Sequence, residues 1–81
     1  MSKKYEYDYT ICTEYDEDIF NRQCKALEQH IHGIKKGLFL HDVDNSKLQY
    51  YDIGGKELRV VNDFQIGAVY IDSDIELRQF F

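Results

Sequence analysis

Apolar and polar side chains alternate from residue 4 to residue 15. Tyr5, Tyr7, Tyr9, Ile11, Thr13 and Tyr15 share one parity, and Lys4, Glu6, Asp8, Thr10, Cys12 and Glu14 the other. Successive side chains of a strand point to opposite faces, so this period of two predicts a strand with its tyrosine face on a core. The period then changes. Phe20, Cys24, Leu27, Ile31 and Ile34 step by four, three, four and three, which sets them in one stripe along a helix. Asp16 or Asp18 can cap its start, and with Glu17 they suit the positive end of the helix dipole. Lys35 and Lys36 suit the negative end. Gly37 can close the helix, and Gly33 can end it early.

Beyond Gly37 the pattern becomes short strands, predicted at residues 38–43, 47–53, 57–61, 65–71 and 75–81. Asp44-Asn45-Ser46, Gly54-Gly55, Asn62-Asp63 and Asp72-Ser73-Asp74 supply turn chemistry between them. A two-residue hairpin loop at Gly54-Gly55 pairs Tyr51 with Leu58 and Gln49 with Val60. It also sets Asp52 opposite Glu57, an unfavourable like-charge pair. A loop at residues 72–74 pairs Ile71 with Ile75 and Val69 with Leu77. The fold class is therefore α+β in the order β-α-β-β-β-β-β, one amphipathic helix packed on a mostly antiparallel sheet. At 81 residues the chain is a single domain over residues 1–81. Phe80 and Phe81 close the last strand, which either docks into the sheet or offers a dimer edge.

Charge narrows the function. Ten basic residues stand against fifteen acidic ones, a net charge of −5. Glu6, Asp8, Glu14, Asp16, Glu17 and Asp18 follow one another with no base between. A general phosphate-backbone binder needs a basic stripe, so no direct nucleic-acid binding is expected. The N-terminus, Met1-Ser2-Lys3-Lys4, leads into the tyrosine strand rather than an apolar run. No segment approaches the roughly 20 apolar residues of a membrane span. The chain is read as cytoplasmic, with Cys12 and Cys24 as reduced thiols.

Candidate chemistry is sparse. Asp42-Val43-Asp44-Asn45-Ser46 opens like a calcium loop, but Lys47 stands where such a loop has its glycine and Ile53 where it has its closing glutamate. His30 and His32 cannot share a tetrahedral ion from one helix, and two cysteines without zinc spacing complete no site. No nucleophile elbow, phosphate loop or Walker lysine is present. The reading is thus a non-enzyme with no metal and no cofactor.

Seven tyrosines remain. Tyrosine gives large contact area with a polar tip and is enriched at interfaces. Tyr5, Tyr15 or Tyr51, left exposed among carboxylates, would anchor a partner. The partner-binding residues expected are Tyr5, Glu6, Asp8, Tyr15, Asp16, Glu17 and Asp18, with Asp72, Asp74 and Glu76 from the last loop. These describe an acidic protein-binding module: an inhibitor, immunity protein or antitoxin-like factor that blocks a basic, nucleic-acid-handling protein. An alternative comes from Gly67-Ala68-Val69-Tyr70-Ile71-Asp72-Ser73-Asp74-Ile75-Glu76-Leu77, which resembles the closing strands of Sm-like RNA-binding proteins. That resemblance covers about a dozen residues and implies an oligomeric small β-barrel that binds RNA; an exposed basic loop near Lys56 and Arg59 would support it, and a monomer would count against it. A third reading is a homodimeric regulatory protein.

Overall fold

The structure is a computed structural model that describes residues 5–80. The basic leader Met1 to Lys4 and the terminal Phe81 lie outside the described residues. The elements are β1 (Tyr7–Cys12), α1 (Glu17–His30), β2 (Lys35–His41), β3 (Lys47–Ile53), β4 (Lys56–Asp63), β5 (Ala68–Ser73) and a 3-10 turn (Leu77–Phe80). The five strands form one antiparallel sheet in the order β1-β5-β4-β3-β2. The two strands that flank α1 in sequence thus lie at opposite edges, and the helix crosses one face of the sheet to connect them. The α+β class, the single amphipathic helix and the antiparallel sheet are as the sequence predicts.

The helix starts where its cap dictates. Asp16 has extended backbone, and its Oδ1 accepts the Ile19 N–H at 3.0 Å. The Asp16 N–H donates to Asn62 Oδ1 at 3.2 Å, which ties the cap to β4. The predicted stripe is the core. Phe20, Cys24, Leu27 and Ile31 pack with Tyr51 of β3, Leu58 and Val60 of β4, and Val69 and Ile71 of β5. The helix ends at His30, earlier than closure at Gly37 would place it. Gly33 turns the chain with φ +82°, left-handed geometry that glycine adopts at least cost. Lys35 and Lys36 consequently belong to β2 and not to the helix end.

Three registers decide which side chains meet. The hairpin of β3 and β4 pairs Tyr51 with Leu58, Gln49 with Val60 and Asp52 with Glu57, as the Gly54-Gly55 turn requires. In β1 the register shifts between Thr10 and Cys12, so the tyrosine alternation does not run through. Cys12 joins the core side with Tyr9, while Ile11 is left 38% exposed. In β2 the register shifts between Lys36 and Phe39. Gly37 and Leu38 there oppose the single residue Tyr50. The Gln49 amide, itself 4% exposed, donates to the carbonyls of Gly37 and Tyr50 at 3.0 Å and faces that of Leu38 at 3.3 Å. A buried side chain therefore locks the bulge in place.

The predicted strand at residues 75–81 is absent among the described residues. Asp72 and Ser73 do not form a loop; they extend β5, where Asp72 pairs with Asp8 on one side and Arg59 on the other. Ser73 Oγ donates to the Ile75 carbonyl at 2.7 Å and accepts the Ile75 N–H at 3.0 Å, which bends the chain out of the sheet. The following 3-10 turn buries Leu77, whose N–H donates to Tyr9 Oη at 3.1 Å. Phe80 packs against the core, and no strand edge is made there.

Candidate functional site

The helix covers one face of the sheet. Among the described residues no second layer covers the other. Side chains alternate across a strand, so Leu58 and Val60 face the helix while Glu57, Arg59, Val61 and Asp63 face outward. By register, Asp8 and Thr10 of β1, Tyr70 and Asp72 of β5, and Leu48, Tyr50 and Asp52 of β3 share that outer face. Leu40 of β2 joins them opposite Leu48.

One row crosses the centre: Asp8, Asp72, Arg59 and Tyr50 in adjacent strands. Arg59 Nε and Nη2 both lie 2.9 Å from Asp72 Oδ2, and Asp72 is only 7% exposed. Arg59 Nη1 faces Tyr50 Oη at 3.5 Å. The Tyr5 ring lies over the guanidinium, 5.0 Å from ring centroid to Cζ, a cation–π arrangement. Tyr5 also donates its hydroxyl to Glu57. Tyr70 donates to Asp63 at 3.3 Å. The row therefore joins phenols and carboxylates around one half-buried cation.

Electrostatics fix the protonation of these groups. Burial works against the charged guanidinium of Arg59, but the hydrogen bonds to Tyr50 and Asp72 and the Asp72 charge outweigh it. Burial, then the bond to Glu57, raises the Tyr5 phenol. Burial, then the Asp63 and Asp72 charges, pushes Tyr70 up to about 12. Tyr5 and Tyr70 therefore stay neutral donors at pH 7. Asp8 is raised by burial and then by the neighbouring Asp72 charge, with Arg59 pulling the other way.

A raised folded pKa means that Asp8 contributes stability below its unfolded pKa and loses it as pH climbs through the folded value. Asp8→Asn removes that loss. We expect the variant to melt higher than wild type at pH 7, with the gap closing as pH falls towards 4. Asp8 is largely exposed, so solvent screening keeps the effect under about 1 kcal/mol, less than about 6 °C in Tm for a domain of this size. Thermal melts at the two pH values measure it.

The structure divides the sequence-predicted residues into separate groups. Tyr5, Asp8 and Asp72 meet around Arg59. Asp74 sits beyond the end of β5, and its N–H donates to the Glu57 carbonyl at 2.9 Å. Glu6 and Glu76 are exposed. The remaining four lie towards the other end of the sheet. Tyr15 packs edge-on to Phe64 at 5.2 Å and donates to the Asn45 carbonyl at 3.0 Å. Asp16 is committed to the helix cap, and Glu17 pairs with Lys47. Asp18 is exposed on the first turn. Tyr51 is no exposed anchor: it is 1% exposed in the core and donates to Glu28 at 2.6 Å.

Arg59, Tyr50, Tyr70, Glu57 and Asp63 belong to the outer face and were not marked by the acidic pattern. The hairpin register carries the missing signal. Once Tyr51 pairs with Leu58 and Gln49 with Val60 on the core side, Tyr50 and Arg59 must face each other outside. The stretch resembling Sm-like closing strands divides into β5 and the 3-10 turn, and among the described residues β1 and β2 are the two edges of the sheet.

Among the described residues no three His, Cys, Asp or Glu side chains are placed to hold a metal ion, and no helix is long and apolar enough to cross a membrane. Asp42 to Ser46 forms a tight turn closed by the Asp42 N–H to the Ser46 carbonyl at 2.8 Å. Compared with known protein families, curated proteins and solved structures, the chain matches none. The site defines a class by its physical character alone: an open sheet face of phenols, carboxylates and leucines whose central cation is already neutralised.

Proposed function

We propose that this domain is a small non-catalytic binding module that blocks a basic, nucleic-acid-handling protein, in the manner of an inhibitor, immunity protein or antitoxin. The uncovered outer face of the sheet carries this reading. It offers Tyr5, Tyr50 and Tyr70 as amphipathic contact area and Asp8, Asp52, Asp63 and Glu57 as charge. Arg59 is matched by Asp72, so the face as a whole is electronegative. Complementary charge would speed docking of a basic target and give the association its salt dependence. The Asp16–Asp18 corner serves the helix start and Lys47, which makes it the weaker candidate of the two acidic surfaces.

The test is affinity capture from the source cell at low and moderate salt, with the mass and stoichiometry of the eluted complex determined. Thr10→Lys puts a cation on the exposed outer face and Asp18→Lys puts one on the helix corner. We expect a stoichiometric basic protein whose recovery falls by about tenfold with Thr10→Lys and changes little with Asp18→Lys. The opposite ranking would move the interface to the corner. Recovery of RNA, or of the chain alone as a ring-sized oligomer, would replace this reading with the RNA-binding barrel. Recovery of the chain alone as a dimer would favour a homodimeric regulator.

A further inference from the structure

Every residue of the edge strand β2 is exposed. Leu38, Phe39 and Leu40, consecutive in sequence, are 62%, 49% and 41% exposed. Leu38 and Leu40 lie on the outer face, and Phe39 lies on the helix face with its ring centroid 6.5 Å from that of Phe20. The backbone of this edge is as open as its side chains. The Asp42 N–H donates to the Ser46 carbonyl at 2.8 Å, and His41–Lys47, Leu40–Leu48 and Phe39–Gln49 follow in register. Bonded and non-bonded pairs alternate in an antiparallel ladder. Leu40 therefore bonds to β3, while Phe39 and His41 aim their N–H and C=O groups out of the edge. Among the described residues no strand pairs with that side of β2. An unpaired apolar edge is a template for another strand.

We propose that the occupant of this edge is β2 of a second copy of the chain, paired antiparallel about a two-fold axis at Leu40. The inference goes beyond the binding reading and does not depend on it. Symmetry about Leu40 sets Phe39 opposite His41 of the second copy, once on each side of the axis. These are the residues whose backbone groups point outward, and each such pair exchanges both N–H···O bonds. Leu40 then meets Leu40 of the second copy at the closer, non-bonded spacing, with Leu38 beside them on the same face. Charge agrees with this direction. Lys35 and Lys36 stand at one end of β2, and Asp42 and Asp44 lie just past the other. Antiparallel pairing lays each basic end along an acidic one. The other edge lacks this self-complementarity: β1 and its flanks carry Glu6, Asp8 and Glu14 with no base between them, so two copies of β1 repel. Opposed residues of an antiparallel pair share a face. Both helices therefore lie on one side of a continuous sheet, and both outer faces, with their tyrosines and acids, on the other.

The experiment is sedimentation velocity of the purified full chain from about 5 µM to about 1 mM, because pairing one strand buries less than a standard interface and implies a Kd on the order of 10–100 µM. We expect a reversible dimer and no larger species. Leu40→Lys puts like charges face to face on the axis and should raise Kd by more than about tenfold. The monomer should keep its cooperative melt, since Leu40 is exposed. Leu40→Cys reads the register. Non-bonded pairs approach closely enough for a disulfide, so mild oxidation should link the two introduced thiols, identified by peptide mass. Leu38→Cys and His41→Cys, each opposite a different residue of the second copy, should link far less. A chain that stays monomeric throughout the range would overturn the proposal. So would a dimer indifferent to Leu40→Lys, or the absence of a link from Leu40→Cys. Masses that grow past the dimer would pair β2 with β1 of the next copy in an open head-to-tail array, and would overturn it too. Capture of a basic partner is a separate readout. A dimer that captures nothing keeps this inference and removes the binding reading; a monomer that captures a basic protein does the reverse.

Discussion

Leu27→Asp abolishes the cooperative unfolding of this domain. Leu27 is fully buried at the centre of the helix stripe, packed with Phe20, Cys24 and Ile31 against β4 and β5. An aspartate there loses the leucine's apolar contacts and brings a carboxylate into a site built from apolar side chains. Removing the leucine side chain alone costs about 2–5 kcal/mol, as Leu27→Ala would report. The unpaired charge adds a further desolvation cost of several kcal/mol unless it takes up a proton. A domain of this length has a total stability of roughly 4–12 kcal/mol. The sum reaches or exceeds that reserve. Far-UV and near-UV circular dichroism against temperature should show no folded baseline for Leu27→Asp and a lowered but cooperative transition for Leu27→Ala. A wild-type melt for Leu27→Asp would refute the assignment of this stripe to the core.

The helix stripe was legible because burial there follows the local period, and a run of four and three has one helical reading. The β3–β4 register was legible for a similar reason: Gly54-Gly55 fixes the loop, and the loop fixes every pair behind it. The last strand was not. Asp72-Ser73-Asp74 has turn composition, and apolar residues on both sides match as a hairpin would. The competing interaction is long-range, since β5 lies between β1 and β4 and its last two residues pair with both. Tertiary pairing of this kind overrides local turn preference. The tyrosine face failed at one residue, because the shift near Ile11 moves the side chains beyond it onto different faces.

Legibility of the site divides the same way. Clustering of acids along the chain marked Asp8 and Asp72 as well as the corner from Asp16 to Asp18, but sequence proximity cannot say which acids end up beside which. Two of the marked side chains, Asp16 and Glu17, turned out to hold the helix start and a lysine. The residue that organises the outer face is Arg59, a cation in an acidic chain. Nothing in composition singles it out. The topology does, because β4 sits in the middle of the sheet and brings Arg59 between Asp72 and Tyr50.

Arg59→Met is accordingly the second substitution with a large expected effect. Methionine retains much of the stem's volume but removes both guanidinium donors from Asp72, which is 7% exposed and receives Arg59 Nε and Nη2. Breaking a fully buried pair from one side costs about 3–5 kcal/mol; the Arg59 side chain is 27% exposed, so the loss here should fall towards the low end of that range. Tyr5 loses the cation beneath its ring as well. Adding Asp72→Asn to Arg59→Met removes the stranded charge, so the double variant should regain most of the loss, as replacing both members of a buried pair often does. Asp8 sharpens the test. Arg59 is what pulls the Asp8 pKa down, against burial and Asp72, which raise it. Without the guanidinium that pKa climbs further, and a raised folded pKa means stability present at low pH and lost as pH rises. The penalty of Arg59→Met should therefore be largest at neutral pH and shrink on acidification. Denaturant unfolding of the single and double variants at neutral and mildly acidic pH decides it. A single variant as stable as wild type would show that the outer face is organised by something other than this pair.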